Sequence, residues 1–198
     1  MPWEKAFDED KAVEQAMRVF WQKGYDSTSI TDLIEGTGVN RGSLYNAFGG
    51  KRALFVQTLQ RYDRDRQAML AGLEARDAPL AALDAFFDNA VADTLADDAC
   101  KGCFLFNTAL NIGAHDDEVQ GIVRRGIGEI QAFFRRCVEV GQARGEISRD
   151  LDAAATAHSL LGMTVAIRVL GRGVYTEPAL RALAGQARRL VQPAGAGA

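Results

Sequence analysis

Apolar positions recur at helical spacing along most of the chain, and the polar breaks between them are capping residues and glycines. Val13, Ala16, Met17 and Phe20 follow i, i+3, i+4, i+7, which predicts a helix from near Asp8 to Lys23 with one buried stripe. Asp8 or a neighbouring acid caps it, Gly24 stops it, and Tyr25 packs back. Ser29-x-x-Asp32 is a capping pair at the start of a short second helix containing Ile30, Leu33 and Ile34. Gly36-Thr37-Gly38 ends that helix and Val39 fills the corner. Asn40 caps a third helix, Arg41 to Phe48, and Gly49-Gly50 breaks it. A fourth runs from Lys51 to about Gly72, with Leu54, Phe55, Thr58, Leu59 and Tyr62 inside.

The remainder predicts longer helices. One starts with Pro79 in its first turn and reaches about Asp97; Asp98 to Gly102 is a loop; Phe104 to Ile112 is a short apolar helix. Asp116 or Asp117 caps a helix reaching Ala143, with Gly145 as its stop. Asp150 or Asp152 starts another that ends at Leu170, before Gly171 and Gly173. Pro178 opens the last, which ends before Pro193; the tail, residues 193–198, is expected to be disordered. An alanine-rich chain with four prolines and no hairpin signal agrees with an all-α fold of about nine helices. No internal repeat at fixed period appears.

The net charge is −3, yet its distribution is uneven. Residues 36–66 carry six basic against two acidic side chains, whereas residues 74–118 carry ten acidic against two basic. One end suits a polyanion and the middle repels one. Residues 29–48 read as helix, glycine-containing turn, helix, which is a helix-turn-helix that offers its second helix to the major groove. Arg41 can reach a guanine edge or a phosphate, Ser43 and Asn46 can contact base edges, and Gly42 removes bulk where the helix comes close. Tyr45, Lys51, Thr28 and Ser29 are placed for phosphates. Taken singly, each of these is an ordinary solvated side chain; their order is what argues for DNA.

Thr28-Ser29-Ile30-Thr31-Asp32-Leu33-Ile34, then Gly38 through Phe48, then Lys51-Arg52-Ala53-Leu54-Phe55 resembles the DNA-binding domain of the TetR family (TetR/AcrR type). The resemblance covers the first third of the chain and is carried by Tyr45, Phe48 and Lys51 at three-residue intervals. Many members have histidine where this chain has Ala47, so that histidine's backbone contact is not carried over. The resemblance implies an all-helical homodimer, usually a repressor, whose double-stranded operator is palindromic. It also implies a helix-turn-helix domain over residues 1–50 and a helical ligand-binding and dimerisation domain over residues 51–192.

Gly102-Cys103-Phe104-Leu105-Phe106-Asn107 resembles a segment at the start of the sixth helix in one branch of that family, where some members are regulated through a cysteine at the place of Cys103. Cys100 and Cys103 also form a C-x-x-C, open to three chemical readings. A zinc site lacks further ligands at metal-like spacing, since only Cys137, His115 and His158 remain, and no metal or cofactor is expected. A redox centre of the thioredoxin type lacks its βαβ setting. A thiol sensor, with Lys101 favouring the thiolate, competes with the plain reading of one loop cysteine and one core cysteine.

Phe104, Asn107, Asn111, Phe133, Cys137 and His158 join Cys103 as candidates to line an effector cavity. Asn107 and Asn111 share a helical face; His158 reads alternatively, and more simply, as a satisfied core histidine. Leu160, Leu161, Thr164, Ala157 and Val165, with Leu180, Leu183, Ala184, Ala187 and Leu190, predict a dimer through the last two helices. No run of about 18 apolar residues and no basic-then-apolar leader is present, so no membrane contact and a cytoplasmic location are expected. A thiol oxidoreductase on Cys100 and Cys103, or a helical adaptor that binds only protein, are the other classes; the adaptor leaves the basic segment unexplained.

Overall fold

The computed structural model describes residues 7–76 and 78–192. Among them are nine α-helices, one 3-10 turn and no strand. The helices are α1 (Glu9–Lys23), α2 (Ile30–Thr37), α3 (Arg41–Phe48), α4 (Lys51–Glu74) and α5 (Pro79–Leu95), then α6 (Phe104–Ala109), α7 (Asp117–Ala143), α8 (Ala153–Leu170) and α9 (Glu177–Val191). The expected disorder of residues 193–198 lies outside the described residues.

The predicted caps form as hydrogen bonds. Asp8 accepts from Lys11 N–H at 3.1 Å, Asn40 from Ser43 N–H at 2.9 Å and Asp152 from Ala155 N–H at 2.7 Å. Ser29 and Asp32 make a reciprocal capping box, each accepting the other's backbone N–H. Gly38 turns the chain between α2 and α3 at φ +68°, where a side chain is strained.

Helices α1, α2 and α3 enclose Phe20, Leu33 and Leu44, all fully buried, and form a small head. Helix α4 serves both parts. Its first half packs Phe55 on Phe20 of α1, ring centroids 5.0 Å apart. Its second half meets α7 through Arg66 with Glu129 and Glu74 with Arg136. The body formed by α5 to α9 is centred on Phe86, Phe87, Phe133 and Phe134, whose rings pack at 4.8–5.8 Å.

Two boundaries differ from expectation. Helix α5 stops at Leu95 because Asp97 turns to accept backbone N–H groups of Lys101 and Gly102, which folds the following loop. The helix expected over residues 104–112 stops at Ala109 and continues as a 3-10 turn, Ile112–Ala114. Asn111 leaves helical geometry there, and its amide reaches Asp26 in the head at 3.3 Å.

Among the described residues α8 is the one helix long and apolar enough, by length and composition alone, to cross a membrane. Five of its residues, including Ala157, Leu160 and Thr164, are buried inside this chain, as are Leu180, Ala184 and Ala187 of α9. These side chains, expected at a dimer contact, instead hold the body together. Leu161 and Val165 of α8 and Leu183 and Leu190 of α9 remain partly open, and an added Cβ at Gly162 would meet nothing within 4 Å.

Candidate nucleic-acid interface and internal cavity

Helix α3 buries Leu44 and Phe48 and turns the opposite face outward. Arg41, Gly42, Tyr45 and Asn46 are exposed there, with Ser43 half-buried beside them. Tyr45 is 42% exposed although it is a large aromatic, and the Arg41 guanidinium lies 5.7 Å from its ring centroid. Gly50, at φ +120°, lets the chain pass close to Tyr45: a Cβ there would sit 3.2 Å from the ring. An exposed basic and aromatic face on a short, well-capped helix is what major-groove docking needs.

The flanking residues divide. Ser29 is exposed at the start of α2, where its hydroxyl completes the capping box. The Lys23 ammonium, with the Ser29 amide and hydroxyl, holds the Asp32 carboxyl well below its usual range. Lys51 lies 4.4 Å from the Tyr25 ring centroid and donates to the Asp26 carbonyl at 3.5 Å. Thr28 departs from expectation. It is 1% exposed and its hydroxyl donates to the Gly24 carbonyl at 2.6 Å, so it closes the α1–α2 turn from inside and has no surface for a phosphate.

The residues proposed for effector binding do not share one pocket. Phe104, Asn107 and Asn111 line a cleft of about 250 Å³ between head and body, with Tyr25 and His115. Asn107 donates to the Lys101 carbonyl and accepts from Arg172, so its amide is committed to the loop before α6. Cys103 lines a different cavity of about 390 Å³, walled by Tyr62 and Arg66 of α4, Phe86 of α5, Phe106 of α6, Ile130 of α7 and Arg168 of α8. Cys137 borders a third hollow, and burial, with Glu74, pushes its thiol up to about 12. Phe133 is wholly core. His158 is an exposed surface residue, neither a cavity nor a core histidine: its ring nitrogens lie 3.0 Å from Gln131 Nε2 and 2.8 Å from the Ala154 carbonyl.

Cys103 is 6% exposed and accepts a hydrogen bond from the Tyr62 hydroxyl at 3.3 Å, while Cys100 faces solvent. The C-x-x-C is therefore split between surface and core. Among the described residues no three His, Cys, Asp or Glu side chains converge as metal ligands.

Sequence reasoning missed how head and body are joined. Arg52 pairs with Asp116 at 2.9 Å and Glu118 at 2.6 Å. Asp116, as N-cap of α7, is held to about 2 by Arg52 first and by the Val119 amide second. Trp21 of α1 packs edge-on against Tyr62 at 5.0 Å and lies 5.9 Å from Phe104. These residues were visible only as ordinary charges and apolar positions, because partners more than 40 positions apart leave no local pattern.

An exposed recognition helix on a small helical head, carried by a helical body with a cavity open beside α4, defines a helix-turn-helix DNA-binding transcriptional regulator. Residues 12–58 match the family described as "Bacterial regulatory proteins, tetR family", and residues 79–184 match "Tetracyclin repressor-like, C-terminal domain". The chain belongs to the TetR family. It is 31% identical over 170 residues to the HTH-type transcriptional repressor ComR of Escherichia coli (strain K12), covering 83% of this chain and 81% of that protein. It is 30% identical over 141 residues to the repressor DhaR of Mycobacterium sp. (strain GP1), covering 70% and 69%. A cysteine mutant of the TetR family regulator CifR, solved with 26-base-pair operator DNA, superposes with a TM-score of 0.81 at 26% identity, covering 95% of this chain and 98% of that one.

Proposed function

We propose that this regulator is a repressor that binds a palindromic operator as a homodimer and is released by a small effector or by modification of Cys103. The observation that carries the DNA reading is the outward face of α3, with Leu44 and Phe48 anchored below it. Arg41, Ser43 and Asn46 read base edges, Gly42 admits close approach, and Tyr45, Lys51 and Ser29 hold phosphates. Kinship with proteins named as repressors supports the sign of regulation.

The partly open Leu161 and Val165 of α8 and Leu183 and Leu190 of α9, with open space at Gly162, support a dimer through α8 and α9. A two-fold axis there sets the spacing of two recognition helices. The domains divide at residues 50 and 51 in role, with α4 as the shared strut. The cavity beside Tyr62 supports effector release: whatever fills it leans on α4, which packs against α1, and shifts the population toward heads wrongly spaced for adjacent half-sites. Cys103 lines that cavity, so a reagent that enters it meets the thiol.

Fluorescence anisotropy on duplexes enriched by selection tests the reading. Salt-sensitive, sequence-selective binding with two protomers per duplex is expected; binding of one protomer, or equal binding to all sequences, contradicts it.

A further inference from the structure

Lys51 opens α4 on a long, flexible stem, and a surface ammonium on such a stem ordinarily samples many positions. Here it is tethered. Its Nζ lies over the Tyr25 ring, 4.4 Å from the centroid, and donates to the Asp26 carbonyl at 3.5 Å. The carbonyl takes one of three N–H donors, and the ring face attracts the charge as a whole, so donors remain for a phosphate. The next residue, Arg52, is committed to Asp116 and Glu118 of the body. Lys51 pairs with no carboxylate among the described residues, so of the two cations that open α4 it is the one whose charge stays open to an outside anion.

Tyr25 is itself fixed from three sides. Its ring centroid lies 4.7 Å from that of Phe55 in α4, 6.1 Å from that of Phe20 in α1 and 5.7 Å from that of His115, in the segment leading into α7. The turn that carries it is pinned by Thr28, whose hydroxyl donates to the Gly24 carbonyl and whose N–H donates to the Tyr25 carbonyl at 3.3 Å. A ring held this way is a rigid platform for a flexible cation. Confining the lysine before DNA arrives removes side-chain entropy that binding would otherwise have to supply.

We infer that Tyr25 is the positioning residue for the phosphate contact of Lys51: its ring holds the ammonium where the DNA backbone passes beside α3. The inference rests on the phosphate reading of Lys51 proposed above.

Salt dependence is the readout, because it counts phosphates. The slope of log affinity against log salt is about −0.9 for each phosphate neutralised, so losing one contact per protomer flattens the slope of a dimer by about 2. Between about 50 and 200 mM salt such a variant loses about tenfold less affinity than the parent. A tyrosine that only filled the core would, when removed, lower the competent fraction by one factor at every salt concentration and leave the slope alone. On a duplex that the parent selects from a random pool, Tyr25→Leu should show the flatter slope of Lys51→Gln, and the double variant should show no further change. Tyr25→Phe keeps the ring and should restore the parent's slope. Where Tyr25→Leu fails to fold, proton resonances of the parent on that duplex decide. The ε-methylene protons of Lys51, identified by their loss in Lys51→Gln, should stay upfield of those of the exposed Lys11 because the Tyr25 ring shields them. A parent-like slope in Tyr25→Leu beside a flatter Lys51→Gln, a double variant flatter than either single one, or an upfield shift lost on DNA overturns this inference alone. A parent-like slope in Lys51→Gln overturns the phosphate reading of Lys51 and this inference with it, and a parent that selects no duplex removes the DNA reading beneath both.

Discussion

Tyr45 is the exposed aromatic on which the proposed DNA-reading face of α3 turns. It is held outward by the burial of Leu44 and Phe48 on the opposite face of the helix, and Arg41 rests against its ring. Tyr45→Phe removes the hydroxyl and is expected to weaken binding to every duplex by a similar factor, about fivefold to tenfold. Arg41→Ala and Asn46→Ala should in addition change which sequence binds best. Competition anisotropy against operator and scrambled duplex separates the two effects, and an unchanged preference in both alanine variants would remove these residues from base reading. The thiols give a second check at this scale. Cys100 is exposed, whereas Cys103 and Cys137 are buried and the Cys137 thiol is pushed up to about 12. A disulfide reagent at neutral pH should titrate one thiol rapidly in the native protein, and Cys100→Ser should abolish that fast phase.

At the scale of elements, the capping box of α2 fixes the entry to the helix-turn-helix. Ser29→Ala removes a cap and a hydroxyl together and is expected to cost about 1 kcal/mol, read as a lower urea midpoint at unchanged slope. Gly36 packs α2 on α1 so closely that a Cβ would overlap Val19 Cγ2. Gly36→Ala should therefore destabilise by about 1–3 kcal/mol, despite the better helix propensity of alanine. Such elements were legible because their signals are local: a stripe at helical spacing, a capping residue, a glycine. The end of α6 was not legible, because it is decided by Asn111 reaching Asp26 across the head–body cleft. Thr28 misled for a related reason. A threonine beside a helix start looks the same whether its hydroxyl faces a phosphate or, as here, the Gly24 carbonyl.

At the scale of the molecule, head and body are joined by a few contacts that sequence could not pair: Arg52 with Asp116 and Glu118, Trp21 with Tyr62, Asn111 with Asp26. Asp116 titrates low, at about 2, so its pairing contributes above the usual carboxylate value near 3.8 and is lost as pH falls from there toward 2. Asp116→Asn keeps a capping side chain but not the charge. Its stability deficit relative to the parent, followed by urea unfolding, should be constant at neutral pH and shrink through that acid window; a deficit independent of pH would assign Asp116 to capping alone. The buried Asp63–Arg66 pair was equally hidden, since no local pattern marks a charged pair on a helix for burial. The central claim, that two copies of α3 read two half-sites, is tested most directly by selection from a random duplex pool followed by sequencing. Enrichment of a two-fold symmetric site, whose half-site sequence changes when Arg41 is replaced by alanine, is the predicted result. Enrichment of no site, or of the same site by parent and variant, would contradict it.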